Sequence, residues 1–324
     1  MSIRTPFINR YGRLRSGWRV LILFLAFTAL LMLLTAALRV AWVSFHATGT
    51  RLPHEDFAAD FLYRMMLLAA ALGSGYFCAR LLEGLPWRSL GVTFSVPWLR
   101  DFLVGTVVGI LSLAIAVGIA TAAGGLRFSV SSKEVLGATI SSVLATAALF
   151  VVAALAEEAM FRGYALQTLS RAQLAWLGVF LTSVPFAMVH LWNPNVVPGV
   201  TFGNTALAGI WLGIAYLRTR SLWLPLGVHW SWNWAMGSFF GLPVSGINLV
   251  SHPALLGKDL GPAWITGGSY GIEGGAACTI ALIVSSIFLW RTRLVSSTPD
   301  QLKLTSEENP ATAAHVLSIQ PADS

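Results

Sequence analysis

Long apolar runs, separated by short polar segments, are the dominant pattern along the chain. Eight of them are candidates for helices that cross or enter a bilayer, since a span needs about 20 predominantly apolar residues. They lie at 20–38, 61–82, 102–123, 137–156 with a continuation to about 169, 174–190, 205–217, 222–240 and 276–290. The sixth run is short, so we expect that helix to be tilted, partly buried in protein or longer at its start. The pattern predicts an all-α fold: a polytopic transmembrane helical bundle of about eight spans.

Composition supports a membrane protein and excludes several other classes. Of the 324 residues, 56% are hydrophobic and 11% are charged, whereas a typical soluble domain has about 25% charged residues. The net charge of +7 does not indicate a nucleic-acid partner, because the basic residues are scattered at the ends of apolar runs. Cys78 and Cys278 lie in apolar segments without C-x-x-C spacing. They predict neither a disulfide framework nor a thiolate metal site.

The basic residues also predict the orientation of the chain in the membrane. With the N-terminus in the cytoplasm, the 21 Lys and Arg residues divide 15 to 6 in favour of the cytoplasmic side, as the positive-inside rule requires. An even number of spans then places both termini in the cytoplasm. No eukaryotic targeting pattern is present, which favours a bacterial plasma membrane.

The same pattern divides the chain into five segments. A basic cytoplasmic N-terminus (1–19) precedes three spans (20–136), and four further spans (137–240) form the predicted catalytic core. An extracytoplasmic loop and the last span follow (241–290), and a polar tail (291–324) is predicted to be disordered and cytoplasmic.

Ionisable side chains within spans are costly and indicate functional sites. The fourth run contains "LAEEAMFRGY", in which Glu158 and Arg162 are four residues apart. That spacing places them on one helix face and predicts an ion pair. Glu157 is rotated by about 100° from Glu158, toward another side, where its carboxylate could act as a general base. The alternative is that both acids sit hydrated at the membrane interface.

Two later spans contribute histidines. "FAMVH" ends the fifth run with His190, and "HWSWN" in the seventh places His229 and Asn233 on one helix face. Two such hydrogen-bonding side chains could hold an oxyanion or a water, or they could simply join helices. Glu157, His190 and His229 also match the ligand types of a His₂Glu zinc site. Gly209 and Gly213 form G-x-x-x-G in the sixth run, which predicts close helix packing.

These segments resemble three motifs of the CPBP family of intramembrane proteases, also called the CAAX prenyl protease 2-like or Abi family. "EEAMFRG" resembles EExxxR, "FAMVH" resembles FxxxH, and "HWSWN" resembles HxxxN, in the same order. The resemblance extends over about residues 137–240. It implies that Glu157 activates a water, that Glu158 and Arg162 support it, and that His190 orients the water. His229 and Asn233 are then assigned to the oxyanion.

The sequence thus predicts an intramembrane endopeptidase that hydrolyses a peptide bond near the membrane. Its expected partners are the lipid bilayer and a membrane-associated substrate: a prenylated tail, a peptide or a membrane protein. The family label of metalloprotease implies Zn²⁺, but a metal-free glutamate mechanism fits the same residues, and the sequence leaves both open. A proton-coupled carrier would also use buried Glu and His, but it predicts inverted repeats that are not seen. A non-catalytic scaffold of the bacteriocin-immunity type is the other alternative.

Overall fold

The computed structural model describes residues 6–46, 55–94, 96–132 and 135–306. Within these ranges six helices are long and apolar enough to cross a membrane. Their backbone groups are paired within each helix, which is what a hydrocarbon solvent requires. The predicted helical bundle is confirmed, and the chain is a multi-pass membrane protein.

The helices follow the predicted runs closely. The first three are α1 (Ser16–His46), α2 (Glu55–Glu83) and α3 (Trp98–Ala122); α4 (Leu136–Glu158) continues through a π-helix (Ala159–Ala165) into α5 (Leu166–Arg171), and α6 (Ala175–Val189) and α7 (Val200–Thr219) follow. The predicted seventh run forms α8 (Trp223–Trp234) and a second π-helix (Ala235–Phe239), and the eighth forms α10 (Ala276–Arg291). Neither of these last two reaches 18 residues, the length of the shortest of the six spans, which is α6 together with the turn that follows it (Ala175–Trp192).

Several short elements of the described chain lie outside the prediction. Strands β1 (Leu126–Val130) and β2 (Leu255–Asp259) pair antiparallel, with Leu126 opposite Asp259. A short helix, α9 (Ala263–Thr266), follows β2. The expectation of a disordered tail is wrong for Pro299–Ser306, which form helix α11. Residues 307–324 of that tail lie outside the described ranges.

The chain forms two compact units that cut across the predicted core of residues 137–240. Of the described residues, the first unit contains 6–46, 55–92, 156–178 and 298–306, and the second contains 93–94, 96–132, 135–155 and 179–297. The chain passes from the second unit to the first at Ala156, just before the EExxxR segment, and returns at Val179.

The first unit packs α1 and α2 against the π-helix and α5. Its apolar core includes Leu23, Cys78 and Tyr164. At one end of this core, the Glu83 carboxylate pairs with the guanidinium groups of both Arg19 and Arg171. The Thr168 hydroxyl donates a further bond to the same carboxylate at 3.2 Å. All four residues are buried, so a charged cluster joins α1, α2 and α5.

The second unit contains a closely packed pair of helices, α3 and α8. A Cβ atom added at Gly227 would lie 2.2 Å from the carbonyl oxygen of Phe102, and one added at Gly105 would lie 2.3 Å from that of Leu224. The close packing predicted for the G-x-x-x-G segment is also confirmed. A Cβ at Gly209 would lie 2.7 Å from the Cβ of Ser183 on α6.

We expect Gly227→Ala to destabilise the second unit, because the added methyl group meets backbone atoms that cannot move independently. Overpacking of this kind costs about 1–3 kcal/mol. The measurement is thermal unfolding of the purified protein in detergent. Gly118→Ala on α3 is the matched control, since no atom lies within 4 Å of its added Cβ. An unchanged melting temperature for Gly227→Ala would contradict the close contact of α3 with α8.

Candidate active site

The EExxxR segment spans the junction between α4 and the π-helix. Glu158 is the last residue of α4, and Arg162 lies within the π-helix. Arg162 Nη1 donates to Glu158 Oε1 at 3.1 Å, and both side chains are fully buried. The predicted ion pair is therefore present. Each charge offsets the other where water is excluded, which allows two ionised groups to remain in an apolar setting.

The π-helix changes the local geometry of this segment. The backbone bends at Gly163, where ψ is −105°. Such wide turns within α-helices are rare and are frequent at functional sites. Glu157, in the last turn of α4, is half-buried. The Glu157 side chain is thus less enclosed than that of Glu158, which is fully buried, although Glu157 Oε2 is itself buried.

His190 lies where α6 ends and a single 3₁₀ turn (His190–Trp192) begins. Its Nδ1 is 2.7 Å from the carbonyl oxygen of Phe186. Because a carbonyl oxygen only accepts, Nδ1 must be the protonated nitrogen, and Nε2 of the neutral ring is then an acceptor. The FxxxH spacing thus has a physical role: Phe186, one turn earlier, fixes the tautomer of His190.

His229 and Asn233 lie on α8, where His229 is buried and Asn233 is half-buried. The Phe186 ring is 6.1 Å from the His229 ring and 4.7 Å from the His190 ring, measured between centroids. One phenyl ring therefore contacts both imidazoles.

A pocket of about 40 Å³, lined by both apolar and polar side chains, lies in the second unit. Its polar lining comes mainly from His190, Asn204, His229, Asn233, Ser245 and Glu273. A water molecule needs about 10–15 Å³ of such space and two to four polar partners. The pocket can therefore hold a few water molecules between two imidazoles, two amides, a hydroxyl and a carboxylate.

Three of the six predicted site residues are brought together by this pocket: His190, His229 and Asn233. Glu157, Glu158 and Arg162 form their own cluster in the first unit. The meeting of the Glu157 carboxylate with a water of the pocket stays a prediction.

Glu273 was not predicted as a site residue. The sequence offers one signal: Glu273 and Asp259 are the only acidic residues between Arg162 and residue 299, and Glu273 lies in the glycine-rich stretch 271–275 just before the last apolar run. Burial raises the pKa of Tyr270 above its usual range, and the nearby Glu273 carboxylate raises it further. The sequence does not show that the loop containing Glu273, which follows the predicted core, folds back so that Glu273 lines the pocket.

The zinc site suggested by ligand type, Glu157 with His190 and His229, stays a prediction. Among the residues that the structure describes, no group of three or more His, Cys, Asp or Glu side chains is arranged to hold a metal ion.

The structure thus combines a bundle of membrane-spanning helices with a pocket large enough for a few water molecules. Residues 138–235 match the model of a family described as type II CAAX prenyl endopeptidase Rce1-like. The match covers 98 of the 324 residues and includes all three motifs. It confirms the resemblance to CPBP proteases over this part of the chain, and it implies a protease, a class of hydrolase. It supports neither the Abi label nor the metalloprotease label. No curated protein and no solved structure matches the chain.

Proposed function

We propose that the protein is an intramembrane endopeptidase of the CAAX type that uses a water activated by glutamate. The observation that carries the proposal is the pocket of about 40 Å³, lined by two imidazoles and the amide of Asn233. Such a pocket admits water and presents hydrogen-bonding groups from separate helices, which is what hydrolysis of a carbonyl group requires.

In the proposed mechanism, Glu157 takes a proton from a water that donates its other hydrogen to Nε2 of His190. The hydroxide attacks the carbonyl carbon of the peptide bond, and the carbonyl oxygen becomes an oxyanion. Asn233 Nδ2 and a ring N–H of His229 donate to that oxyanion. The C–N bond then breaks, and Glu157 returns its proton to the leaving nitrogen. Glu158 and Arg162 act by holding the segment that carries Glu157.

The proposed substrate is a membrane-associated peptide or protein, and a prenylated C-terminal tail fits the matched family best. The distribution of Lys and Arg supports cytoplasmic termini and entry of the substrate from the cytoplasm or laterally from lipid. A bacterial plasma membrane is the proposed location. No role for nucleic acid is proposed.

The direct test is hydrolysis of a farnesylated peptide ending in Cys-a-a-X by the full chain reconstituted in liposomes, with the unprenylated peptide as comparison. We expect only the prenylated peptide to be cleaved. If neither is cleaved, membrane peptides from cells expressing the wild type and the Glu157→Gln variant are compared by mass spectrometry. If the two sets of membrane peptides are the same, and the reconstituted protein catalyses proton-coupled flux across the liposomes, the protein is a carrier and the protease proposal is wrong.

Asn233→Ala should lower kcat by about 10²–10³, the usual cost of losing one oxyanion donor. KM should change little, because the donor acts on charge that develops only in the transition state. Ser112→Ala is the control: it removes a buried hydroxyl that bonds Ser285 at 2.8 Å, outside the pocket lining. A normal kcat for Asn233→Ala would remove Asn233 from the oxyanion role.

A further inference from the structure

Glu273 is brought to the pocket by a tight turn before α10. The turn, Ile272–Gly274, follows Gly271, whose φ is +94°. A Cβ atom at Gly271 would lie 2.3 Å from the carbonyl oxygen of Pro243. Only glycine tolerates both the positive φ and this close approach. The turn is thereby held against the segment that contains Ser245.

Both carboxylate oxygens of Glu273 accept hydrogen bonds. Trp232 Nε1 donates to Oε1 at 3.1 Å. The backbone N–H of Ser245 donates to Oε2 at 2.7 Å, and the Ser245 hydroxyl donates to the same oxygen at 2.9 Å. The backbone carbonyl of Glu273 accepts from Asn204 Nδ2 on α7 at 2.8 Å. One residue thus joins α7, α8 and the loop that precedes β2.

Trp232 lies on the same part of α8 as the two residues assigned to the oxyanion. At about 100° per residue, Trp232 is about 60° to one side of His229, and Asn233 is about 40° to the other. All three line the pocket, as does Glu273. The hydrogen bond from the Trp232 indole to Glu273 therefore restrains the rotation of α8 about its axis. That rotation determines the direction in which His229 and Asn233 face the pocket.

We propose that Glu273 is a positioning residue: its bond to the Trp232 indole sets the rotation at which His229 and Asn233 face the reacting carbonyl. This inference rests on the proposed function. Glu273 contacts no reacting atom; it acts through Trp232.

A carboxylate is required at this position by the donors around it. All three groups that reach the side chain are N–H or O–H donors, and an ionised carboxylate has only acceptors. A glutamine has one acceptor oxygen and one donor nitrogen. Whichever way its amide is turned, the NH₂ group meets either the indole N–H or the Ser245 N–H.

The test compares Glu273→Gln, Trp232→Phe and the double variant in the full chain, using the farnesylated peptide. We expect Glu273→Gln to lower kcat by about 10²-fold, the scale of a 1 Å misplacement, with KM within about threefold of wild type. Trp232→Phe removes the N–H that opposes the glutamine NH₂. The double variant should therefore recover part of the kcat lost in Glu273→Gln, a result that loss of stability alone does not produce.

Thr146→Val is the control for general destabilisation, since it removes a buried hydroxyl that bonds Ser238 at 2.8 Å, outside the pocket lining. It should lower the melting temperature without changing kcat of the folded protein. A wild-type kcat for Glu273→Gln, or a double variant slower than Glu273→Gln, would overturn the proposal.

If the wild type cleaves no peptide, a second readout separates the two proposals. The rate at which diethyl pyrocarbonate modifies His229 is measured in the full chain by mass spectrometry of its peptides. Glu273→Gln should raise that rate severalfold, and the double variant should bring it back toward the wild type. Equal rates in all three proteins would overturn the positioning role whatever the substrate.

Discussion

Replacing Glu157 with Gln is expected to abolish peptide cleavage while the protein remains folded. The amide has the size of the carboxylate but cannot take a proton from water, and general-base catalysis contributes about 10²–10⁴ to the rate. Because Glu157 is half-buried at the end of α4, the exchange removes charge without leaving a cavity. The measurement is kcat on the farnesylated peptide, expressed per folded molecule.

Glu158→Gln provides the matched comparison. Its carboxylate is fully buried against Arg162 at 3.1 Å, so this variant should lose stability as well as activity. The two variants distinguish loss of chemistry from loss of folding, because Glu158→Gln should lower the melting temperature more than Glu157→Gln does. Normal cleavage by Glu157→Gln would show that another group activates the water.

Glu83→Gln should produce the largest loss of stability, because it leaves two buried guanidinium groups without the carboxylate that they share. Arg19 and Arg171 both pair with Glu83, and all three side chains are at most 3% exposed. Removing one partner of a buried ion pair costs about 3–5 kcal/mol. The measurement is the free energy of unfolding of the detergent-solubilised protein, titrated with SDS.

A second variant tests whether charge is the cause. Replacing Arg19, Glu83 and Arg171 together by Met removes every charge of the cluster, so stability should return toward that of the wild type. Asp60→Asn breaks a partly exposed pair, Asp60 with Arg64 at 3.0 Å, and should cost less than about 1 kcal/mol. A similar loss in Glu83→Gln and Asp60→Asn would contradict the role of burial.

The helices were predictable because lipid imposes one simple requirement on length and polarity. The sixth run began at residue 205 in the prediction, whereas α7 begins at Val200. The first turn contains Thr201 and Asn204, whose polar side chains interrupt the apolar pattern. In the structure Asn204 donates to the backbone carbonyls of Glu273 and Gly275. Its polarity is satisfied within the protein, which a local pattern does not reveal.

The parts that were missed all depend on contacts between distant residues. The strands β1 and β2 are five residues each and pair across more than a hundred positions. Glu83 lies one residue beyond the predicted second span, and its two partners are 64 and 88 positions away. Local spacing did predict the Glu158–Arg162 pair, because both residues lie on one helix. For Glu273 no spacing within one helix could predict its position, because its partners Trp232 and Ser245 lie 41 and 28 residues away.

The size of the pocket has a consequence for selectivity. At about 40 Å³ it is far below the roughly 300–1,000 Å³ of sites that enclose an organic ligand. In the proposed reaction, only the carbonyl group of a peptide can enter beside the water, and the flanking side chains and any lipid tail must remain outside. The surfaces around the pocket entrance must therefore select the substrate. Variants of those surfaces should change which peptides are cleaved without changing how the peptide bond is hydrolysed.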